Sequence, residues 1–134
     1  MPPKEITTFA RVLYVEDEKD AQEVIAGFLA RKNIECVVAD SGEQAIEICQ
    51  EQQFDMVIID LALPGMDGWQ LLETLRQEPS TNHLPAVVLT AYYSPEVVAK
   101  AQQVGFCMWF AKPVDNEHFV SELINGITYF RDNQ

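Results

Sequence analysis

Basic residues are scarce in this chain: nine Lys and Arg stand against 21 Asp and Glu in 134 residues, a net charge of −12. A surface of that sign repels a phosphate backbone, and no run of Lys or Arg makes a local exception, so no direct nucleic-acid partner is expected. No apolar stretch approaches the roughly eighteen residues that a membrane span needs. Residues 1–8 are polar with two prolines and lack the pattern of a cleaved leader. A cytoplasmic protein without a membrane partner is therefore expected. Cysteine is limited to Cys36, Cys49 and Cys107, each alone in an apolar run and without metal-ligand spacing, which reads as buried reduced thiols. The length allows one domain, residues 1–134 with a core from about 10 to 130, and 48% hydrophobic residues suffice to fill it.

What the chain does have is concentrated around Asp60. Met56 to Ile59 is a short apolar run rich in β-branched residues, the pattern of a strand buried on both faces, and it delivers Asp60 to its end. A loop with Pro64-Gly65 and Asp67-Gly68 turn signals follows, in which Asp67 reads as a turn residue. The same grammar repeats along the chain. Ala10 to Val15 reads as a first strand that runs into Glu16-Asp17-Glu18, and Ala21, Val24, Ile25, Phe28 and Leu29 give one helical face over about 19–32. Ile34 to Ala39 is a second strand, followed by the capping-box pattern Ser41-Gly-Glu-Gln44.

Leu71, Leu72 and Leu75 mark a third helix, with Trp69 read as packing. Ala86 to Leu89 forms a fourth strand with Thr90 at its end. Pro95 opens a helix with an inner stripe of Val97, Val98, Ala101 and Val104, and Gly105 closes it. Phe106 to Ala111 is a fifth strand closed by Lys112-Pro113, and a last helix runs from about Asn116 past Ile127 with Phe119, Val120, Leu123, Ile124 and Ile127 inward. Five alternations of strand and helix call for a doubly wound parallel sheet flanked by helices. In such a sheet Glu16, Asp17, Asp60, Thr90 and Lys112 all stand at strand ends, where open α/β sheets bind ligands.

Clustered carboxylates are tolerated when a hard cation lies between them, and magnesium is the expected cofactor because it prefers oxygen ligands and bridges carboxylate to phosphate. A carboxylate is a competent nucleophile for a phosphoryl group, so Asp60 is the expected acceptor, with Lys112 and Thr90 placed to meet its oxygens. Singly, these residues have ordinary explanations, as helix-terminus charges or strand ends. His83 and His118 are isolated and expected to be exposed, so phosphate is expected on aspartate and not on histidine.

Taken in order, Val15-Glu-Asp17, Ile59-Asp60-Leu-Ala-Leu-Pro64-Gly, Leu89-Thr90-Ala91 and Ala111-Lys112-Pro113 resemble the motifs of a response-regulator receiver domain, similar to the stand-alone chemotaxis-type regulators. The resemblance covers about residues 11–127. It implies a flavodoxin-like five-stranded sheet of order 2-1-3-4-5 with five helices. Function is implied too: a phosphorelay signalling domain, not an enzyme acting on external substrates, which takes a phosphoryl group from a sensor histidine kinase or histidine phosphotransfer protein.

Carried over by position, Asp60 is the phosphoacceptor and a metal ligand, Asp17 a direct ligand, Glu16 an acid acting through water, and Ala62 a backbone carbonyl ligand. Thr90 and Lys112 match the switch hydroxyl and the phosphate-binding lysine, Trp109 the aromatic switch position, and the Lys112–Pro113 bond is implied to be cis. A downstream target protein or a second copy is implied to dock on the face of the fourth helix, fifth strand and fifth helix. Ala62 and Tyr92, at positions that tune hydrolysis in this family, point to slow self-dephosphorylation, and the chain's end soon after the fifth helix points to output through protein contact. Two other readings stand beside this one. An aspartyl phosphatase acting on external substrates wants a second Asp where Ala62 stands, and a phosphorylation-independent docking module would leave the full acid, Thr and Lys set unexplained.

Overall fold

The computed structural model describes residues 8–133; the rest of the polar N-terminal stretch, residues 1–7, lies outside the described residues. Ten elements alternate: β1 (Ala10–Val15), α1 (Lys19–Arg31), β2 (Ile34–Ala39), α2 (Gly42–Glu51), β3 (Met56–Asp60), α3 (Gly68–Gln77), β4 (Ala86–Thr90), α4 (Pro95–Val104), β5 (Met108–Ala111) and α5 (Asn116–Asp132). The strands form one parallel sheet of order β2-β1-β3-β4-β5. This is the expected doubly wound topology, with β1, β3 and β4 in the middle.

Because side chains alternate along a strand, the sheet has two distinct faces. Leu13, Val15, Val57, Ile59 and Val88 pack with Leu71, Leu72, Leu75 and Ala101 against α2, α3 and α4. Val12, Tyr14, Ile58, Val87 and Leu89 pack with Ile25, Leu29, Phe119, Leu123 and Ile127 against α1 and α5. The central strands are buried on both faces, which is why they read as continuous apolar runs.

Several details differ from the sequence expectation. On α1, Val24 is exposed while Gln22 is buried. The Gln22 amide can go inside because it donates to the Glu16 carbonyl at 2.6 Å and to Asp40 Oδ1 at 2.7 Å. On α4 Ala101 is buried and Val97 packs partly buried beside it, while Val104 lies outside the stripe. β5 starts at Met108: Phe106 first closes the end of α4 through its N–H to the Ala101 carbonyl, while Gly105 adopts a left-handed φ of 109°. β3 starts at Met56 as expected, and Asp55 just before it is tied to β1, its carboxylate accepting from the Arg11 N–H at 2.8 Å.

Asp67 is the N-cap of α3, in a full capping box with Gln70. At α2 the box is only half made: Ser41 accepts from the Gln44 N–H, but the Gln44 side chain accepts from Asp40. The three cysteines are free and half-buried, and burial pushes the Cys36 thiol up to about 12. At the base of the sheet Arg131 joins the end of α5 to the start of β1, donating to the Phe9 carbonyl at 2.6 Å, lying 4.9 Å over the Phe9 ring and pairing with Asp55 at 3.3 Å.

Candidate functional site

Strand alternation also sorts the polar ends. Asp60 follows Ile58 at a spacing of two, Glu16 follows Tyr14, and Lys112 follows Phe110, so all three emerge on the α1/α5 side of the sheet's carboxyl edge. There they meet. Lys112 Nζ donates to Asp60 Oδ2 at 2.9 Å and to Glu16 Oε1, joining residues 52 and 96 positions apart. Asp17 is exposed beside them, and one carboxylate oxygen from each of Glu16, Asp17 and Asp60 falls within 4.8 Å of the others.

The second Asp60 oxygen, Oδ1, accepts from the Ala62 N–H at 2.9 Å. The loop that offers this N–H is held tightly. The Gly68 N–H donates to the Leu61 carbonyl at 3.2 Å, and a Cβ on Gly68 would stand 2.8 Å from the Asp60 carbonyl oxygen and from Leu61 Cα. Only glycine lets the start of α3 approach the end of β3 this closely.

Glu16 is the most enclosed acid of the group. Oε1 accepts from the Tyr14 hydroxyl at 3.0 Å as well as from Lys112, and Oε2 accepts from the Glu18 N–H at 3.3 Å. Burial holds the Asp60 carboxyl above the usual carboxylate range; Lys112 and the Ala62 N–H pull it back, and the Glu16 charge adds to the rise. For Lys112 burial acts in the opposite direction, but the Glu16 and Asp60 carboxylates outweigh it and raise the ammonium above its ordinary value.

Three carboxylates thus face one ammonium, and the excess negative charge meets an all-oxygen donor set. That chemistry fits a hard divalent cation: Asp17 and Asp60 offer carboxylate oxygens, and Glu16 stands behind them with its oxygens already engaged.

Thr90 and Trp109 lie apart from this cluster. In the register Asp60 pairs with Leu89, Thr90 with Ala111 and Val88 with Trp109. Thr90 is therefore one step beyond Leu89 on the α3/α4 side, buried, with Oγ1 accepting from the Tyr92 N–H at 3.0 Å. Half-buried Trp109 shares that side and packs on the α3/α4 core. The structure brings together Glu16, Asp17, Asp60, Ala62 and Lys112 and sets Thr90 and Trp109 on the adjoining face. The Lys112–Pro113 bond is cis.

His83 and His118 are exposed. Trp69 stacks edge-on with Phe106 at 5.7 Å under Lys100, a packing role as read. Tyr14 and Gln22 are the polar groups that sequence reasoning passed over. A tyrosine two places before Glu16 on a strand was the visible signal.

Comparison with known proteins covers most of the chain. The response regulator receiver domain model matches residues 12–124. The response regulator protein FleR of Pseudomonas aeruginosa is 35% identical over 106 residues, 79% of this chain, and the chain spans 22% of FleR. Among solved structures, the chemotaxis response regulator CheY4 of Vibrio cholerae superposes with a TM-score of 0.81 at 27% identity, covering 90% of this chain and 99% of CheY4. The receiver domain of the Pseudomonas aeruginosa sensor histidine kinase PA1611, which holds magnesium in its active-site cleft, shares the fold with a TM-score of 0.76 at 24% identity over 87% and 98% of the two chains.

Proposed function

Because this chain belongs to the response regulator receiver domain family, we propose that it is a phosphorelay switch in which Asp60 takes a phosphoryl group from a histidine kinase or phosphotransfer protein. One observation carries the reading: a buried carboxylate, Asp60, shares a single ammonium with a second buried acid beside an exposed third acid. A purely structural ion pair has no need of the extra carboxylates.

Asp17 and Asp60 would hold magnesium directly, with the Ala62 carbonyl beside them and Glu16 acting through water. When bound, the cation neutralises charge on the incoming phosphoryl group. It is also the ion in the PA1611 cleft, a protein whose likeness to this one is of fold. Asp60 supplies the nucleophilic oxygen, its loop fixed by the Ala62 N–H and the close approach of Gly68. Lys112 follows the developing charge onto the phosphoryl oxygens.

The Thr90 hydroxyl keeps a proton to donate while accepting from Tyr92, so it can turn toward a phosphorylated Asp60, and Trp109 on the same face can follow. The face of α4, β5 and α5 then changes for a target protein or a second copy. Ala62 has no polar side-chain atom and the Tyr92 side chain is exposed, a pair poorly suited to orient an attacking water, which favours slow loss of the phosphoryl group.

Intact mass after incubation with acetyl phosphate and magnesium tests this reading. A gain of about 80 Da, one phosphoryl group, is expected and should vanish in Asp60→Asn and without metal. No gain from acetyl phosphate or from any phosphorylated histidine donor would leave a phosphorylation-independent docking module.

A further inference from the structure

The Lys112 role proposed above has a cost for Glu16. Glu16 lies buried, and when Lys112 leaves for a phosphoryl group that carboxylate loses its one direct cation contact, magnesium standing beyond a water. A buried ionised acid without donors is strongly disfavoured. Two donors stay with it. One is the Glu18 N–H at a long 3.3 Å; the other is the Tyr14 hydroxyl at 3.0 Å, on a fully buried ring wedged into the α1/α5 core.

We infer that Tyr14 is a positioning residue, whose hydroxyl holds the Glu16 carboxylate in place so that Lys112 is free to move from Glu16 to the phosphoryl oxygens. This rests on the phosphoacceptor reading of Asp60. Two features support it. The phenol and Lys112 converge on the same oxygen, Oε1, so the phenol is the donor best placed to take over. The ring is fixed on β1 and cannot follow Lys112 away.

Without the hydroxyl, Glu16 depends on Lys112 and grips it more tightly. Magnesium must then enter a gap that Lys112 closes, and phosphoryl transfer must pull Lys112 from a Glu16 carboxylate that holds it more tightly. Tyr14→Phe removes a single oxygen and keeps the ring. The expected result is magnesium binding weaker by roughly tenfold, the ratio that follows loss of one hydrogen bond to a charged group. Phosphorylation from acetyl phosphate should also remain slower at saturating magnesium.

Magnesium binding is read by intrinsic tryptophan fluorescence and by calorimetry, with Phe119→Leu as a loosened-core control on the same face. That control should bind magnesium within twofold of the parent. Tyr14→Phe matching the parent in both affinity and rate overturns the inference, as does Phe119→Leu weakening binding equally. A parent protein that neither binds magnesium nor takes phosphate fails earlier and differently: it overturns the functional reading, and the role of Tyr14 with it.

Discussion

Replacing Lys112 with Met tests the electrostatics of the site in isolation from any reaction. The thioether fills similar space but leaves Glu16 and Asp60 as neighbouring carboxylates without a cation. Their side chains are 1% and 8% exposed, against 23% for Lys112. Removing one partner of a buried pair costs about 3–5 kcal/mol, and the partial exposure of Lys112 sets the loss near the lower end, about 3 kcal/mol. For a urea slope of about 2 kcal/mol per molar the midpoint should fall by about 1.5 M.

The loss should depend on pH in a defined direction. The folded-state value of Lys112 is raised above its ordinary 10.5, so its stabilisation is fully present below that value and is lost only as pH rises through the folded-state value. In Lys112→Met burial still raises the Asp60 carboxyl but the lysine no longer pulls it back, so the deficit opens as pH climbs through the range in which Asp60 ionises and is complete once it is charged. Urea denaturation followed by circular dichroism should therefore show a larger deficit at pH 8 than at pH 5. Adding Asp60→Asn should recover much of it, and saturating magnesium should narrow it. An unchanged midpoint at pH 8, or an equal deficit at both pH values, would refute the account.

Two further changes probe the frame around the site. Gly68→Ala drives a methyl group into the backbone of Asp60 and Leu61, and should cost about 1–3 kcal/mol by denaturation and slow phosphorylation of Asp60. Asp67→Ala removes only the cap of α3, so a loss of about 1 kcal/mol with magnesium affinity unchanged is expected; a large fall in affinity would mean that Asp67 does more than cap the helix.

Elements whose period matched their burial were readable from the chain alone. β3 and β4 are fully buried and were continuous apolar runs, and the acids after β1 and at the end of β3 needed only the parallel topology to converge. Where polar groups find partners across the fold, the pattern misled. Gln22 looks like a surface residue, and its burial depends on Asp40 and the Glu16 carbonyl. Val24 looks like an inner residue but faces out, because Ile25 and Leu29 already fill the space beneath α1. Asp67 sits beside a glycine in a turn-like sequence, and its capping role shows only in the pairing with Gln70. Tyr14 reads as one more apolar strand residue until its hydroxyl is seen on Glu16.

Arg131 gives the molecule a polarity of attachment. Through Phe9 and Asp55 it gathers the first strand's beginning and the last helix's end at one pole, while the acids occupy the other. A tether, label or fused module joined at either side of the described chain would depart from that pole. Such an attachment would leave the acidic cleft open to visitors, and an immobilised protein would present it away from the support.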